Sequence, residues 1–377
     1  MAVYKLFPYK DATIYSYYPL LNSGMDTISE VYNVTTTEGT PDIARFLTQF
    51  STEEIQDTID NKINGNLWDV SLKGFIASAQ GISTDYIIEV WPVAQTWNNG
   101  TGEFGDSPLT TDGISWSYPL YSGSISWSES GNIGTELYTS SYSSTYATQG
   151  GGNWFYSGSG IDSYGVTQSF DLRSDKDLNI GVKTIVSQWY SGSIPNYGFI
   201  TKFTSSVEFD PSIYVQPILK YYSVDTNTIY PPQLEFKWRD YSTVLTGSLA
   251  NKIVTTPTIK LSLDQNPQEF YPDSVNRFRL NVSPLYPTRA FQTTTLFTNL
   301  NYLPTSSYYA IKDLDTNEYI IMFDEQYTQI SSDSNGNYFD VYMNGLEPER
   351  YYKVLIKTII NGSTLILDND YYFKIIN

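Results

Sequence analysis

Asp313-Leu314-Asp315-Thr316-Asn317-Glu318 and Asp333-Ser334-Asn335-Gly336-Asn337 gather the hard oxygen ligands that can hold Ca²⁺. An EF-hand loop needs D-x-[DN]-x-[DN]-G and a bidentate Glu at its end. In the second stretch Gly336 comes two places early and that Glu is missing, so Asn335-Gly336 reads better as a hairpin turn. Pairs of carboxylates could instead cleave glycosides, for example Glu89 with Glu103 or Asp106. With 40 Asp and Glu in the chain, chance pairs are inevitable. The chain has no His and no Cys. This removes Ser-His-Asp and Cys-His catalysis, His metal sites and disulfides. The expectation is a protein without enzyme activity, cofactor or metal.

The aromatic residues are the other group with chemical use. The chain carries 34 Tyr and 8 Trp. Trp127, Trp154 and Tyr156 lie in Ser/Gly-rich sequence between residues 98 and 165, whose composition resembles a binding loop, and they are the candidate contact surface. The alternative is that the Trp side chains pack the core. A net charge of −18 argues against nucleic acid and against an anionic membrane surface. No apolar run reaches the roughly 18 residues of a membrane span, and the N-terminus lacks an apolar signal region.

The elements that must carry these residues read as strands. Tyr86, Ile88 and Val90 alternate with Ile87, Glu89 and Trp91, which marks a strand expected to be central to a β-sandwich. Trp68–Ile76, Thr27–Val34, Ile43–Phe50, Asn179–Ser187, Gly198–Phe203, Ile218–Ser223 and Gln233–Trp238 read the same way. Ser51 with Glu54 forms a capping box, and Ile55, Ile59 and Ile63 form one apolar stripe, so a short helix is expected up to Asn64-Gly65. Residues 1–243 are therefore expected to form a jelly-roll-like sandwich with a Gly/Ser/Tyr-rich insertion near 98–165. Residues 244–377 are expected to form a second, Ig-like sandwich, with strands at Arg277–Val282, Tyr308–Asp313, Glu318–Phe323, Tyr338–Met343 and Tyr352–Thr358.

Three resemblances sharpen this. Asp11-Ala12-Thr13-Ile14, the Asn22-Ser23-Gly24 turn, Arg45/Leu47/Phe50, Val70/Leu72, Trp97 with Gly100-Thr101-Gly102, and Pro232/Leu234/Phe236 follow in the order seen in DNRLRE-type jelly-roll domains, which residues 4–240 resemble. Gly345-Leu346-Glu347-Pro348 through Tyr352 and Val354 resembles the signature of fibronectin type III and related Ig-like domains, which implies a tyrosine corner at Tyr352. The chain as a whole resembles virion structural proteins of marine contractile-tailed phages, carried by MAVYKLFPYKDATIYS, FYPDSVNRFRLNVSPLYPTR and LPTSSYYAIKDLDTNEYIIMFD. That resemblance implies assembly onto a particle in the host cytoplasm, other virion proteins as partners and homo-oligomerisation. The alternatives are binding of host surface glycan, as an adhesin, or glycan degradation by a tail protein.

Overall fold

The computed structural model describes residues 2–35, 41–82, 85–121, 125–128, 133–134, 150–158, 160–204, 208, 217–264, 266–286 and 300–376. The fold is all-β. Among the described residues the strands are β1 (Ala2–Leu6), β2 (Lys10–Tyr15), β3 (Ile28–Thr35), β4 (Pro41–Gln49), β5 (Trp68–Gly74), β6 (Ile76–Gln80), β7 (Tyr86–Pro92), β8 (Ile133–Gly134), β9 (Trp154–Phe155), β10 (Val166–Phe170), β11 (Leu178–Gly181), β12 (Phe199–Phe203), β13 (Ile218–Tyr222) and β14 (Gln233–Trp238). They continue as β15 (Ile259–Asp264), β16 (Glu269–Phe270), β17 (Val275–Pro284), β18 (Ser307–Asp313), β19 (Tyr319–Ile321), β20 (Ser331–Asp333), β21 (Gly336–Tyr342), β22 (Tyr351–Ile360) and β23 (Ser363–Ile375). Two compact units emerge. One comprises 6–62 with 70–235, and the other 1–5, 63–69 and 236–377. The divisions fall inside β1, the helical turn Thr58–Ile63, β5 and β14.

The first unit is jelly-roll-like. Its main sheet runs β10-β7-β12-β4-β3-β13-β6, with β2 on the other edge of β4. Tyr86, Ile88 and Val90 of β7 are buried as their alternation requires, but β7 is next to the edge strand β10 and so is not central. Thr52–Asp57 is helix α1. Ser51 caps it by accepting the Glu54 N–H at 3.3 Å, and the helix continues as a π-turn over Thr58–Ile63. Ile55, Ile59 and Ile63 all point inward, and Asn64 and Gly65 leave the helix at positive φ. A second helix, α2 (Lys183–Tyr190), stands where the pattern suggested continued strand: β11 ends at Gly181, and Ile185, Val186 and Trp189 bury one helical face. Short β-branched runs do not distinguish the two periods.

The second unit is an Ig-like sandwich. Sheets β15-β17-β21-β20 and β16-β23-β22-β18-β19 enclose Phe278, Leu280, Tyr309, Phe339, Val354 and Phe373. Every second residue of β17 and β22 faces that core, the period that the sequence shows. The two acidic stretches act in turns here. Asp313 caps its turn by accepting the Asp315 and Thr316 N–H groups and pairs with Arg350 through two bonds of 2.8 Å. Asp333 and Gly336 close the β20–β21 hairpin, and Asp333 is held by Arg279.

Candidate functional site

Trp127 and Trp154 are buried, which corrects the expectation that they form a contact surface. Trp154 is 0% exposed and Trp127 donates its indole N–H to the Ser115 carbonyl at 3.2 Å. Tyr156 is half-buried and packs edge-on against Trp91 and Trp154, so it belongs to the same cluster. Trp97, Trp116, Trp127 and Trp154 form one core with Ile14, Leu47, Ile114 and Ile200. The cluster encloses charge. Arg45 binds Glu208 bidentately at 3.0 and 2.6 Å and donates to the Gly151 carbonyl at 2.6 Å. Lys202 binds Glu89 at 2.5 Å and lies 3.8 Å from Glu208. Two cations thus meet two carboxylates, so the buried group is neutral, and the Trp116 and Trp154 rings lie 5.1 and 5.6 Å from the Arg45 guanidinium. Glu89 is therefore committed to Lys202, while Asp106 is a half-buried loop residue that accepts from Thr110.

The three glycines before Trp154 have a packing reason. A side chain on Gly150 would meet the Trp116 carbonyl at 2.1 Å, one on Gly151 would meet Arg45 and Trp116 at 2.8 Å, and all three have φ between +83° and +129°. What reads as low complexity is close approach of backbone to the tryptophan core.

The outer surface of the same sheet carries a different feature. Along β3, period-2 alternation puts Ile28, Glu30, Tyr32 and Val34 on one face. The ladder sets Ile218 beside Tyr32, Lys220 beside Glu30 and Gln80 beside Ile218, while Val34 pairs with Asp42 across β3–β4. The next residues in register, Asn33 and Ile43, face the other way: Ile43 joins the tryptophan core and Asn33 donates to the Glu208 carbonyl at 2.8 Å. The polar face becomes the floor of a groove of about 560 Å³, walled by Tyr15, Asp26 and Phe104.

A loop fixes the Phe104 wall. Asn22 uses all of its hydrogen-bonding capacity to hold it. Its amide donates to the Asn99 and Ile114 carbonyls at 2.6 and 2.9 Å, and its carbonyl accepts from Gly102 at 2.8 Å and from Gly24 at 3.4 Å. Gly100 has φ +80°, and a side chain there would come within 2.3 Å of Asn22. Beyond the clamp, the Phe104 N–H donates to Asp26 at 2.9 Å. The Phe104 ring then completes a run of rings: Tyr32–Tyr15 at 6.2 Å, Tyr15–Phe104 at 5.0 Å, Phe104–Tyr18 at 5.6 Å and Tyr18–Tyr17 at 5.0 Å. Tyr17, Tyr18 and Phe104 are 51, 42 and 46% exposed, so the outer half of this ridge faces solvent.

The groove is electrostatically unusual. Among the described residues, three carboxylates, Asp26, Glu30 and Asp42, share it with one ammonium, Lys220, which pairs with Glu30 at 2.5 Å. Tyr15 donates to Glu30 at 3.1 Å and Tyr32 to Asp42 at 3.2 Å. Burial, followed by the charges of Glu103, Glu30 and Asp106, pushes Asp26 up to about 6, against the pull of the Phe104 N–H. Burial raises Asp42 as well, against the pull of the Tyr32 hydroxyl and the Tyr17 N–H. Burial and neighbouring carboxylates raise Tyr15 and Tyr32, which stay protonated donors. Sequence reading missed this site. The Tyr15/Tyr17/Tyr18 spacing and the Glu30/Tyr32 alternation were its only local signals, since Asp42, Phe104 and Lys220 arrive from distant strands and loops.

In the second unit, the Tyr352 hydroxyl accepts the Glu347 N–H at 2.7 Å, and its ring packs on Phe373 at 5.7 Å. No group of three or more Asp or Glu among the described residues is placed to hold a metal ion.

No protein-family model matches the chain, and no curated protein matches it. Among solved structures, a DUF4785 family protein from Legionella pneumophila aligns over 98% of this chain and 65% of its own length, at 8% identity and a TM-score of 0.19. The β-glucuronidase of Parabacteroides merdae aligns over 96% of this chain and 36% of its own, at 8% identity and a TM-score of 0.18. The chain thus spans less than two-thirds of the length of these structures, and likenesses this weak carry no argument.

Proposed function

We propose that this chain is a non-enzymatic structural component of a phage virion, at the neck, tail or head surface, that works by association with other virion proteins. The observation that supports it most is the ridge of five aromatic rings beside an acidic groove. Tyr and Phe at this exposure offer large apolar area at low entropic cost, the residue chemistry that dominates protein interfaces. A neutral, tryptophan-packed interior behind the same sheet holds that surface in one shape. Homo-oligomerisation belongs to the proposal because virion parts repeat by symmetry. Proteomics of purified particles from the source tests it: a fixed copy number per particle is the expected result, and absence from particles overturns it. A second reading, binding of host surface glycan, draws on the same ridge, since exposed rings also stack on sugars.

A further inference from the structure

We propose that the groove walled by Asp26 and Phe104 receives a lysine side chain from a partner protein. The inference rests on the association reading and names the chemistry of the partner. Three observations carry it. First, the groove holds three carboxylates against one ammonium, so the empty site carries charge that a second cation would neutralise. Lys220 on Glu30 shows what a lysine makes of this environment, and among the described residues Asp26 and Asp42 have no such cation beside them. Second, the donors to Asp42 are neutral groups, the Tyr32 hydroxyl and the Tyr17 N–H, and an ammonium brings the positive charge that they lack. Third, the walls are aromatic. Phe104 packs edge-on against Tyr15 with centroids 5.0 Å apart, and its half-exposed ring beside the carboxylates offers apolar surface to the methylene stem of lysine and attracts its charged end. An anionic ligand is disfavoured for the same reasons. A neutral sugar would use the rings but leave the charge excess in place.

The affinity should fall with acid. Asp26 rises to about 6 because of burial and of Glu103, Glu30 and Asp106, and burial also raises Asp42. Lys220 on β13 is the opposing charge, and Tyr15 and Tyr32 stay neutral. Below pH 6 Asp26 is protonated and the attraction weakens.

The test is titration of the full chain with Nα-acetyl-lysine N-methylamide, followed by NMR, beside the same probe acetylated at Nζ, a glucosamine hexamer and maltohexaose. The expected result is saturable binding of the lysyl probe, about tenfold weaker once Nζ is acetylated, weaker at pH 5 than at pH 7.5, and lost in Asp26→Asn with Asp42→Asn. If that double variant does not fold, Phe104→Ala and Asp26→Asn alone give the same readout. Equal binding of both lysyl probes, or no binding, overturns the proposal. Tighter binding of either oligosaccharide overturns it in favour of glycan. None of these outcomes depends on whether the chain is found in particles, so failure of the groove assignment and failure of the virion reading can be told apart.

Discussion

Arg45 and Glu208 are each fully buried, and each depends on the other. Arg45→Met leaves the Glu208 carboxylate in a tryptophan-lined interior with only Lys202, at 3.8 Å, to offset it. We expect a loss of about 3–5 kcal/mol in urea unfolding, with much of it recovered when Glu208→Met is added. A loss below about 1 kcal/mol for the single variant would contradict the pairing. Trp154→Ala should cost about 3–5 kcal/mol as well, by opening a cavity among the tryptophans. A solution-exposed contact residue would cost almost nothing. Asp11 makes a different prediction. Burial pushes its carboxyl up to about 7 from the usual 3.8, although the Val224 N–H and the Ser223 hydroxyl both donate to it. Below the unfolded value both states are protonated and the stabilisation is complete. As pH rises toward 7 the unfolded chain releases its proton first, so stability falls. Unfolding midpoints measured from pH 4 to 8 should decline, and Asp11→Asn should flatten that decline. An unchanged slope in the variant would count against it.

At the scale of elements, the rim loop depends on Asn22 and on glycines that leave it room. Asn22→Ala strands the Asn99 and Ile114 carbonyls and the Gly102 N–H, at about 1–3 kcal/mol for each group that stays unpaired. Gly100→Ala meets both a positive φ and the Asn22 side chain. Both variants should release Phe104 from the ridge, visible as loss of its NMR contacts to Tyr15 and Tyr18; retained contacts would mean that the clamp is not what places the ring. In the second unit, Tyr352→Phe removes the acceptor for the Glu347 N–H and should lower stability by about 0.5–1.5 kcal/mol, measured by urea unfolding. Elements with a strong period were legible in advance: β3, β7, β14, β17 and the capped helix at Ser51 follow their patterns. Helix α2 was not, because Asn179–Ser187 is β-rich and only the burial of Ile185, Val186 and Trp189 on one side decides for a helix after Gly181. The run Gly150–Gly152 looked like slack and is instead tight packing, a distinction that depends on what lies across the fold.

At the scale of the whole molecule, two all-β units follow from alternating strands, turn residues and aromatic content, all of them local signals. The groove does not, because it is built from β2, β3, β4, β6, β13 and a loop far apart in sequence, and only register brings Glu30 to Lys220 and Val34 to Asp42. That same surface is where the proposed function acts. The most direct test is cross-linking mass spectrometry of native particles from the source, read for links between this chain and other virion proteins. The account predicts links that cluster on the groove side of the first unit, at Lys220 and at carboxylates such as Asp26 and Glu103, and that a Phe104→Ala particle loses. Links spread evenly over both units, or a chain absent from the particles, would contradict it.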